Sequence, residues 1–300
     1  MHMLRTLFPY LVLARPANIV TAVADILAGV AIVGFFNKDD WHLYWPSLTF
    51  LVISTACLYG GGIVFNDIFD YELDKKERPE RPLPSGLISA KQAIQFGTAL
   101  ISIGIVSAFL VNSSSGYVAI SIATLALLYD YAGKHHAFWG PLNMGFCRGL
   151  NLLLGMTILP SVFQSNLPML SLLPVVFVAA ITLTSRGEVR GNNRGSIIFA
   201  LALDVLIAAT VIILGFVETL NLWYVLPFIT LWLGMNILAK MRAILINEPD
   251  SIMRAVKTGV ISLIPLNASY AAGFGHWSIG LVMLILLPLT FLMARKFAVT

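Results

Sequence analysis

The chain has 300 residues, of which 58% are hydrophobic and only 11% are charged. Soluble globular domains carry about 25% charged residues, so this composition excludes a water-soluble globule of this size. The net charge of +4 comes without a basic patch that carries interleaved aromatic residues, so no nucleic-acid partner is expected. The two cysteines, Cys57 and Cys147, lie in apolar segments and form neither a disulfide framework nor a metal motif.

Ten apolar segments follow one another along the chain. Each is long enough to cross a hydrocarbon core of about 30 Å as a helix. We therefore predict an all-α protein, a polytopic transmembrane helical bundle that forms a single domain over residues 1–300 in contact with the lipid bilayer. The predicted spans are residues 17–36, 47–66, 88–111, 115–131, 139–163, 166–186, 195–216, 220–241, 252–272 and 275–294.

Basic residues predict the orientation of these spans. They precede span one and follow spans two, four, six, eight and ten, whereas the loops on the opposite side contain only Lys38. The positive-inside rule makes the basic side cytoplasmic, and an even number of spans keeps Arg295 and Lys296 on that side. The sequence thus predicts a multi-pass protein of the cytoplasmic or inner membrane with a cytoplasmic N-terminus.

Three carboxylates stand where the second predicted span leaves the membrane, at Asp67, Asp70 and Asp74. Their spacing places them on one face of a helix, with Asn66 beside that face. Carboxylates this close repel one another unless a cation intervenes. Oxygen ligands suit Mg²⁺, which commonly bridges to phosphate oxygens, so we predict that the three aspartates are catalytic metal ligands. A solvated helix end facing neighbouring lysines is the alternative.

A proline-rich segment, RPERPLPSG, follows at residues 78–86. Its three prolines end the helix and stiffen the loop, so Arg81 is expected to stay near the acidic face. A guanidinium group can bind phosphate in a bidentate manner, which makes Arg81 a candidate phosphate-binding residue. A turn whose charges serve only membrane topology is the alternative.

The pattern NDxxDxxxD at residues 66–74, followed by RPLPSG at residues 81–86, resembles the first aspartate-rich motif of the UbiA superfamily of intramembrane prenyltransferases. The opening RPAN at residues 15–18 is similar to the start of that family. The resemblance implies a UbiA-like bundle of nine to ten spans around a central cavity, with two Mg²⁺ ions and a polyprenyl diphosphate. It also implies a lipophilic acceptor, such as an aromatic compound, and substrate-binding roles for Asn18 and Asn66.

The family's second aspartate-rich motif follows the sixth span, where residues 184–194 here read TSRGEVRGNNR. One carboxylate, Glu188, remains as a candidate metal ligand. Arg186 and Arg190 are candidate diphosphate-binding residues, because Coulomb attraction to phosphate does not require a metal. The segment fits either a single-metal site or a member whose prenyl-transfer chemistry has changed.

Residues 129–136, YDYAGKHH, follow the fourth span, where the family often has a tyrosine and a lysine. Lys134 is therefore a candidate phosphate-binding residue. His135 and His136 are adjacent and would point apart on a helix, which makes them a poor metal pair.

Arg148 lies inside the fifth predicted span. An arginine at membrane depth is costly unless it is paired or hydrated, so we predict that it faces the cavity and binds substrate. Snorkelling to the interface is the alternative. Asp25 and Asp204 are further acids inside predicted spans, and either could pair with Arg148.

The combined motifs are most similar to the EboC-like members of the superfamily. The primary hypothesis is a Mg²⁺-dependent enzyme that transfers a prenyl group from a polyprenyl diphosphate to a lipophilic acceptor in the membrane. The alternative is a catalytically altered member that binds or carries an isoprenoid or lipid, or scaffolds a membrane complex. A secondary transporter is less well supported, because the acids cluster at a membrane face and not at the midplane.

Overall fold

The computed structural model describes residues 2–38, 41–133, 136, 138–186, 191–217 and 219–296. Within these ranges the chain forms α-helices, short 3₁₀ turns and one π-helical turn, Tyr129–Gly133, and contains no strand. The α-helices are α1 (His2–Ala14), α2 (Pro16–Ile32), α3 (Trp45–Phe69), α4 (Tyr71–Glu77), α5 (Ala90–Val111), α6 (Ser113–Leu128), α7 (Trp139–Met156), α8 (Leu172–Ser185), α9 (Arg194–Phe216), α10 (Leu222–Ile246), α11 (Pro249–Phe274), α12 (Trp277–Leu284) and α13 (Leu286–Lys296).

Each of the ten predicted apolar segments coincides with helical structure, and the last is divided at Ile285 into α12 and α13. In the described part of the chain, six helices are long and apolar enough to cross a membrane, and the bent pair Leu7–Ala14 and Pro16–Ile32 makes a seventh if it counts as one span. The prediction of an all-α transmembrane bundle is confirmed, whereas the number of nine to ten spans stays a prediction. The six helices are Trp45–Phe69, Ala90–Val111, Ser113–Gly133, Leu167–Ser185, Arg194–Phe216 and Leu222–Ile246.

Helix α11 occupies the centre of the bundle. It packs against α2, α8, α10, α12 and α13. Every residue from 261 to 273 is buried, which explains how polar residues are accommodated in the ninth predicted span. These polar side chains face other helices and not lipid, because a polar group in hydrocarbon needs a partner.

Side-chain caps stabilise the starts of two helices. Ser89 and Gln92 form a reciprocal capping box at the start of α5. The Asn112 side chain accepts a hydrogen bond from the Ser115 amide at the start of α6 and donates one to the Thr157 carbonyl. Such caps satisfy amide groups that have no partner inside the helix, and each contributes about 1 kcal/mol.

Two glycines bring α2 and α7 into backbone contact. A Cβ atom added to Gly29 would lie 2.3 Å from the Leu152 carbonyl oxygen, and one added to Gly155 would lie 2.5 Å from the Ile26 carbonyl oxygen. Small residues at such crossings permit close approach of membrane helices. This close packing sets the distance between the polar side chains that the two helices direct into the bundle.

Candidate active site

The acidic end of α3 continues into α4 with little change of helical geometry. The Asp70 amide donates to the Asn66 carbonyl at 2.9 Å, and the Asp74 amide donates to the Asp70 carbonyl at 2.8 Å. Because the helical hydrogen bonds persist, Asp67 and Asp74 point to the same inner face. They are only 3% and 4% exposed, while Asp70 is half-buried.

Two arginines contact the buried carboxylates. Arg15 donates from Nη2 to Asp67 Oδ1 at 2.6 Å. Arg81 donates from Nη1 to Asp74 Oδ2 at 2.5 Å, and the same nitrogen lies 3.4 Å from Asp67 Oδ1. The four side chains form a compact charged cluster that we call the acid–arginine cluster, and its charges are shielded from solvent.

The loop after α4 holds Arg81 in this position. Pro82, Leu83 and Ile88 are buried, and the Ile88 amide donates to the Pro82 carbonyl at 3.1 Å. The loop is therefore anchored on both sides of its exposed tip. Arg81 lies beside the acidic face, where the proline-rich sequence predicts it.

Arg15 was not among the residues predicted to form the site. Arg15 joins α1 to α2 in the left-handed conformation, with φ of 47°, and Pro16 begins the next helix. This geometry turns the chain between the two helices while the arginine side chain reaches Asp67. The RPAN motif offered a signal for it, because Arg15 is the first residue of that motif.

The chemistry of the donors at the acidic end fits Mg²⁺, whose ligands are carboxylate and other oxygens. The arrangement, however, is one of carboxylates held by guanidinium groups. Among the described residues, no group of three or more His, Cys, Asp or Glu side chains is arranged to hold a metal ion. The arginines contact Oδ1 of Asp67 and Oδ2 of Asp74, which is one oxygen of each carboxylate.

A cavity of about 350 Å³ begins beside the acid–arginine cluster and enters the bundle between α2, α3, α6, α7, α8 and α11. Arg15, Asn18 and Asn66 line one part of it. Apolar residues of α3, α8 and α11 form most of the remaining wall. An apolar cavity with a few polar groups is typical of small-molecule sites.

Asp130 is a second site residue that was not predicted from the sequence. It lies in the π-helical turn after α6, is 5% exposed and lines the cavity. Asn66 donates to its Oδ1 atom from Nδ2 at 2.8 Å. π-Helical turns are frequent at functional sites, but the sequence alone did not reveal that this turn places Asp130 inside the bundle.

A second polar cluster lies deeper, around Arg148. Arg148 Nε is 2.6 Å from Asp25 Oδ2, and the guanidinium group lies over the Tyr59 ring, 5.5 Å from its centroid. Asn151 and Asn267 donate to the two oxygens of Asp25 at 2.9 and 2.6 Å. Arg148 is therefore in the cavity wall and does not extend to the membrane surface.

The other acid considered as a partner for Arg148 has a different one. Asp204 on α9 pairs with Lys240 on α10, and both side chains are fully buried. Lys240 also lies over the Phe177 ring. Of the two predicted candidates, Asp25 is thus the partner of Arg148.

The remaining candidate residues are only partly described. Lys134, Glu188 and Arg190, together with His135, lie outside the described residues. Arg186 is exposed at the end of α8, directly after Ser185, which lines the cavity. His136 accepts hydrogen bonds at Nδ1 from the Phe138 and Trp139 amides, both at 3.2 Å, and so caps the start of α7.

Known structures have the same architecture. The structure of a digeranylgeranylglyceryl phosphate synthase superimposes with a TM-score of 0.67 and 23% identity, covering 91% of this chain and 99% of the other. A UbiA homologue from Archaeoglobus fulgidus bound to GPP and Mg²⁺ superimposes with a TM-score of 0.57 and 13% identity, covering 96% of this chain and 99% of the other. At these identities the likeness concerns the fold.

Sequence comparison identifies the family. The digeranylgeranylglyceryl phosphate synthase of Methanosphaera stadtmanae is 31% identical over 150 residues, which are 49% of this chain and 51% of the relative. The chain thus spans about half the length of the curated relatives it matches. The profile of the UbiA prenyltransferase family matches residues 27–251. The chain is an all-α bundle with membrane-spanning helices, and the family profile matches most of its length. It therefore belongs to the UbiA prenyltransferase family.

Proposed function

We propose that this protein transfers a prenyl group from a polyprenyl diphosphate to a lipophilic acceptor within the membrane, with Mg²⁺ as its cofactor. The observation that carries the proposal is the acid–arginine cluster beside a largely apolar cavity. The cluster suits a diphosphate with its counterions, and the cavity suits the reacting end of an isoprenoid. The family membership and the names of the relatives support the same reaction class.

The charged residues bind and orient the diphosphate. Asp67, Asp70 and Asp74 would hold Mg²⁺, which when bound supplies positive charge to the departing diphosphate. Arg15 and Arg81 already lie against the carboxylates. When the carboxylates bind cations, the two guanidinium groups are available to donate to phosphate oxygens.

Further basic residues would extend this site. Arg186 follows a cavity-lining residue of α8. We assign Lys134 and Arg190 the same role towards the diphosphate, with Glu188 as an additional metal ligand. Together they would compensate for the reduced number of acids in the second motif, because guanidinium and ammonium groups also neutralise phosphate charge.

The reaction itself is a substitution at the allylic carbon. The bond between C1 of the prenyl group and the diphosphate oxygen breaks, a bond from C1 to the acceptor forms, and the acceptor loses a proton. The cavity wall contributes by excluding water, which would otherwise capture the allylic cation. The Tyr59 and Tyr129 rings line this cavity, and each aromatic face can stabilise a cation by about 0.5–2 kcal/mol.

The location of the site follows from the charge distribution. The positive-inside rule puts the acid–arginine cluster and the N-terminus on the cytoplasmic side of the membrane. The diphosphate would then enter from the cytoplasm, while the isoprenoid tail extends sideways into lipid.

The test measures transfer of label from radiolabelled farnesyl and geranylgeranyl diphosphates in detergent with Mg²⁺. Release of diphosphate is measured in the same reactions. Asp70→Ala should abolish Mg²⁺-dependent diphosphate release. Glu72→Gln is the matched control, because Glu72 is exposed on the adjoining helix. An Asp70→Ala protein as active as the parent protein would contradict the metal role.

A second function is favoured by the ion pairs within the acid–arginine cluster. Asp67 and Asp74 are already neutralised by arginines, and the described residues include no preformed group of three metal-binding acids. A protein that binds or carries an isoprenoid lipid does not need a metal ion at this cluster. Thermal stabilisation by farnesol or geranylgeraniol without Mg²⁺, but no turnover with any diphosphate donor, would favour this second function.

A further inference from the structure

The deep part of the cavity is more polar than a hydrocarbon chain requires. Thr55, Tyr59, Arg148 and Asn151 all line it. Tyr59 precedes Asp67 by eight residues on α3, which corresponds to a depth of about 12 Å at 1.5 Å per residue. Arg148 is at the level of Tyr59, because its guanidinium group lies 5.5 Å from the centroid of that ring.

Several polar contacts hold Arg148 at this depth. Asp25 faces it at 2.6 Å, and Asp25 is itself fixed by amide donors from Asn151 and Asn267. Thr55 donates to Asn151 Oδ1 at 2.6 Å, which orients the Asn151 amide. Four helices, α2, α3, α7 and α11, therefore position one guanidinium group.

The guanidinium group nevertheless keeps unused hydrogen-bonding capacity. Arg148 is 4% exposed, and among the described residues neither its Nε atom, which forms the ion pair with Asp25, nor its Nη2 atom makes a hydrogen bond of good geometry. A buried donor without a partner is unfavourable, and an isoprenoid tail cannot accept a hydrogen bond. The group that completes this site must carry an oxygen or nitrogen acceptor.

The charges of the cluster select an uncharged group. Asp25 already balances the positive charge of Arg148, and Asn151, Asn267 and Thr55 add none. A phosphate or carboxylate would bring a second negative charge close to buried Asp25 and would itself lose its hydration. A hydroxyl or carbonyl oxygen accepts from the guanidinium group without either cost.

We propose that Arg148 binds an uncharged oxygen-bearing group of the prenyl acceptor, a hydroxyl or a carbonyl, at the level of Tyr59. The inference rests on the proposed transfer reaction, because it defines the acceptor of that reaction. Arg148 then acts as a specificity residue, and Asp25 acts as a positioning residue that sets its charge preference. The donor keeps the outer part of the cavity, next to the acid–arginine cluster.

The test uses three probes that differ only in their head group: 1-O-hexadecylglycerol, 1-O-hexadecylglyceryl phosphate and hexadecane. Binding of the tritium-labelled compounds is measured on the purified full chain in nanodiscs, without any diphosphate donor. The parent protein should bind hexadecylglycerol at least tenfold more tightly than the other two probes. Arg148→Met should lose this selectivity and keep its affinity for hexadecane.

Replacing Asp25 by asparagine tests whether Asp25 sets the charge preference of Arg148, because a purely structural role of Asp25 would not change that preference. In Asp25→Asn the charge of Arg148 is no longer balanced, so the preference should shift towards the phosphate probe. Should either single variant fail to fold, the double variant Asp25→Asn, Arg148→Met has no buried charge left at this site and should show no head-group selectivity. The double variant Asp204→Leu, Lys240→Met is the control, because it removes a buried ion pair at a different site.

Retention of selectivity for hexadecylglycerol in the Arg148→Met or double variant would overturn the inference. Tightest binding of the phosphate probe by the parent protein, if it is lost in Arg148→Met, would overturn it too, since the Arg148 site would then take an anion. Transfer from labelled geranylgeranyl diphosphate is assayed separately. If transfer fails while the Arg148-dependent selectivity persists, the recognition of an uncharged oxygen stands and the transferase proposal falls.

Discussion

Arg15 and Asp67 form an ion pair with 2.6 Å between Nη2 and Oδ1, although 52 residues separate them in the chain. The pair ties the bend between α1 and α2 to the end of α3. It also borders the cavity, because Arg15 is one of the lining residues. The proposed diphosphate site thus depends on the first two helices as well as on the aspartate-rich motif.

Replacing Arg15 should weaken donor binding. A charge-assisted hydrogen bond contributes about 1.5–3 kcal/mol, so Arg15→Met is expected to raise the KM for the polyprenyl diphosphate about tenfold or more. Arg15→Lys should recover part of this loss, because it keeps the charge but not the bidentate geometry. Steady-state kinetics of diphosphate release measure both variants, and an unchanged KM in Arg15→Met would exclude contact with the donor.

Removing a charge from Asp67 should lower turnover while preserving the fold. Asp67→Asn can still accept a hydrogen bond from Arg15, but it loses the negative charge that a metal ligand needs. We expect kcat to fall by about 10²-fold or more, in line with the loss of one electrostatic group in an active site. The Mg²⁺ concentration for half-maximal activity should rise in this variant, and it should stay unchanged in Glu72→Gln, whose side chain is exposed.

Much of the fold follows from local patterns in the sequence. The apolar segments predict the helices because each is long enough to cross the membrane by itself. Ser89 and Asn112 cap the helices that begin directly after them. The position of Arg81 also follows locally, since only a short stiff loop separates it from the acids. These features depend on neighbours within a few residues.

Other features depend on how distant helices meet. The choice of Asp25 over Asp204 as the partner of Arg148 follows from which helix packs beside α7. The burial of Asp130 follows from a π-helical turn that hydrophobicity does not predict. The ion pair of Arg15 requires the left-handed bend before α2. The sequence identifies these residues as unusual, but it does not show which distant residues they contact.

The close crossing of α2 and α7 should be sensitive to a single methyl group. Gly29→Ala would put a Cβ atom 2.3 Å from the Leu152 carbonyl oxygen, so the helices must separate. Overpacking of this kind costs about 1–3 kcal/mol, and it should also move Asp25 away from Arg148. The unfolding temperature in detergent and the head-group selectivity of probe binding should therefore both decrease.

A second glycine provides the comparison. Gly234 in α10 has open space where a Cβ atom would lie, and alanine is the better helix former by about 1 kcal/mol. Gly234→Ala should leave the unfolding temperature unchanged or raise it slightly. Equal destabilisation by the two substitutions would show that the backbone contact between α2 and α7 is not what makes Gly29 sensitive.

The buried pair of Asp204 and Lys240 should affect stability mainly because each charge neutralises the other. Both side chains are fully buried between α9 and α10, and Lys240 lies over the Phe177 ring, whose centroid is 5.0 Å from that of Trp232. Lys240→Met leaves an uncompensated carboxylate, which costs about 3–5 kcal/mol at a buried pair. Asp204→Leu combined with Lys240→Met removes both charges and should recover most of that stability.

Reversible unfolding in mixed detergent micelles would measure this difference for the single and double variants. Arg242→Met is the matched control, because Arg242 is an exposed basic residue on the same helix as Lys240 and its replacement should change stability little. Because the pair does not line the cavity, the double variant should also retain prenyl-transfer activity. Loss of that activity in a double variant as stable as the parent protein would instead indicate that these two charges take part in the reaction.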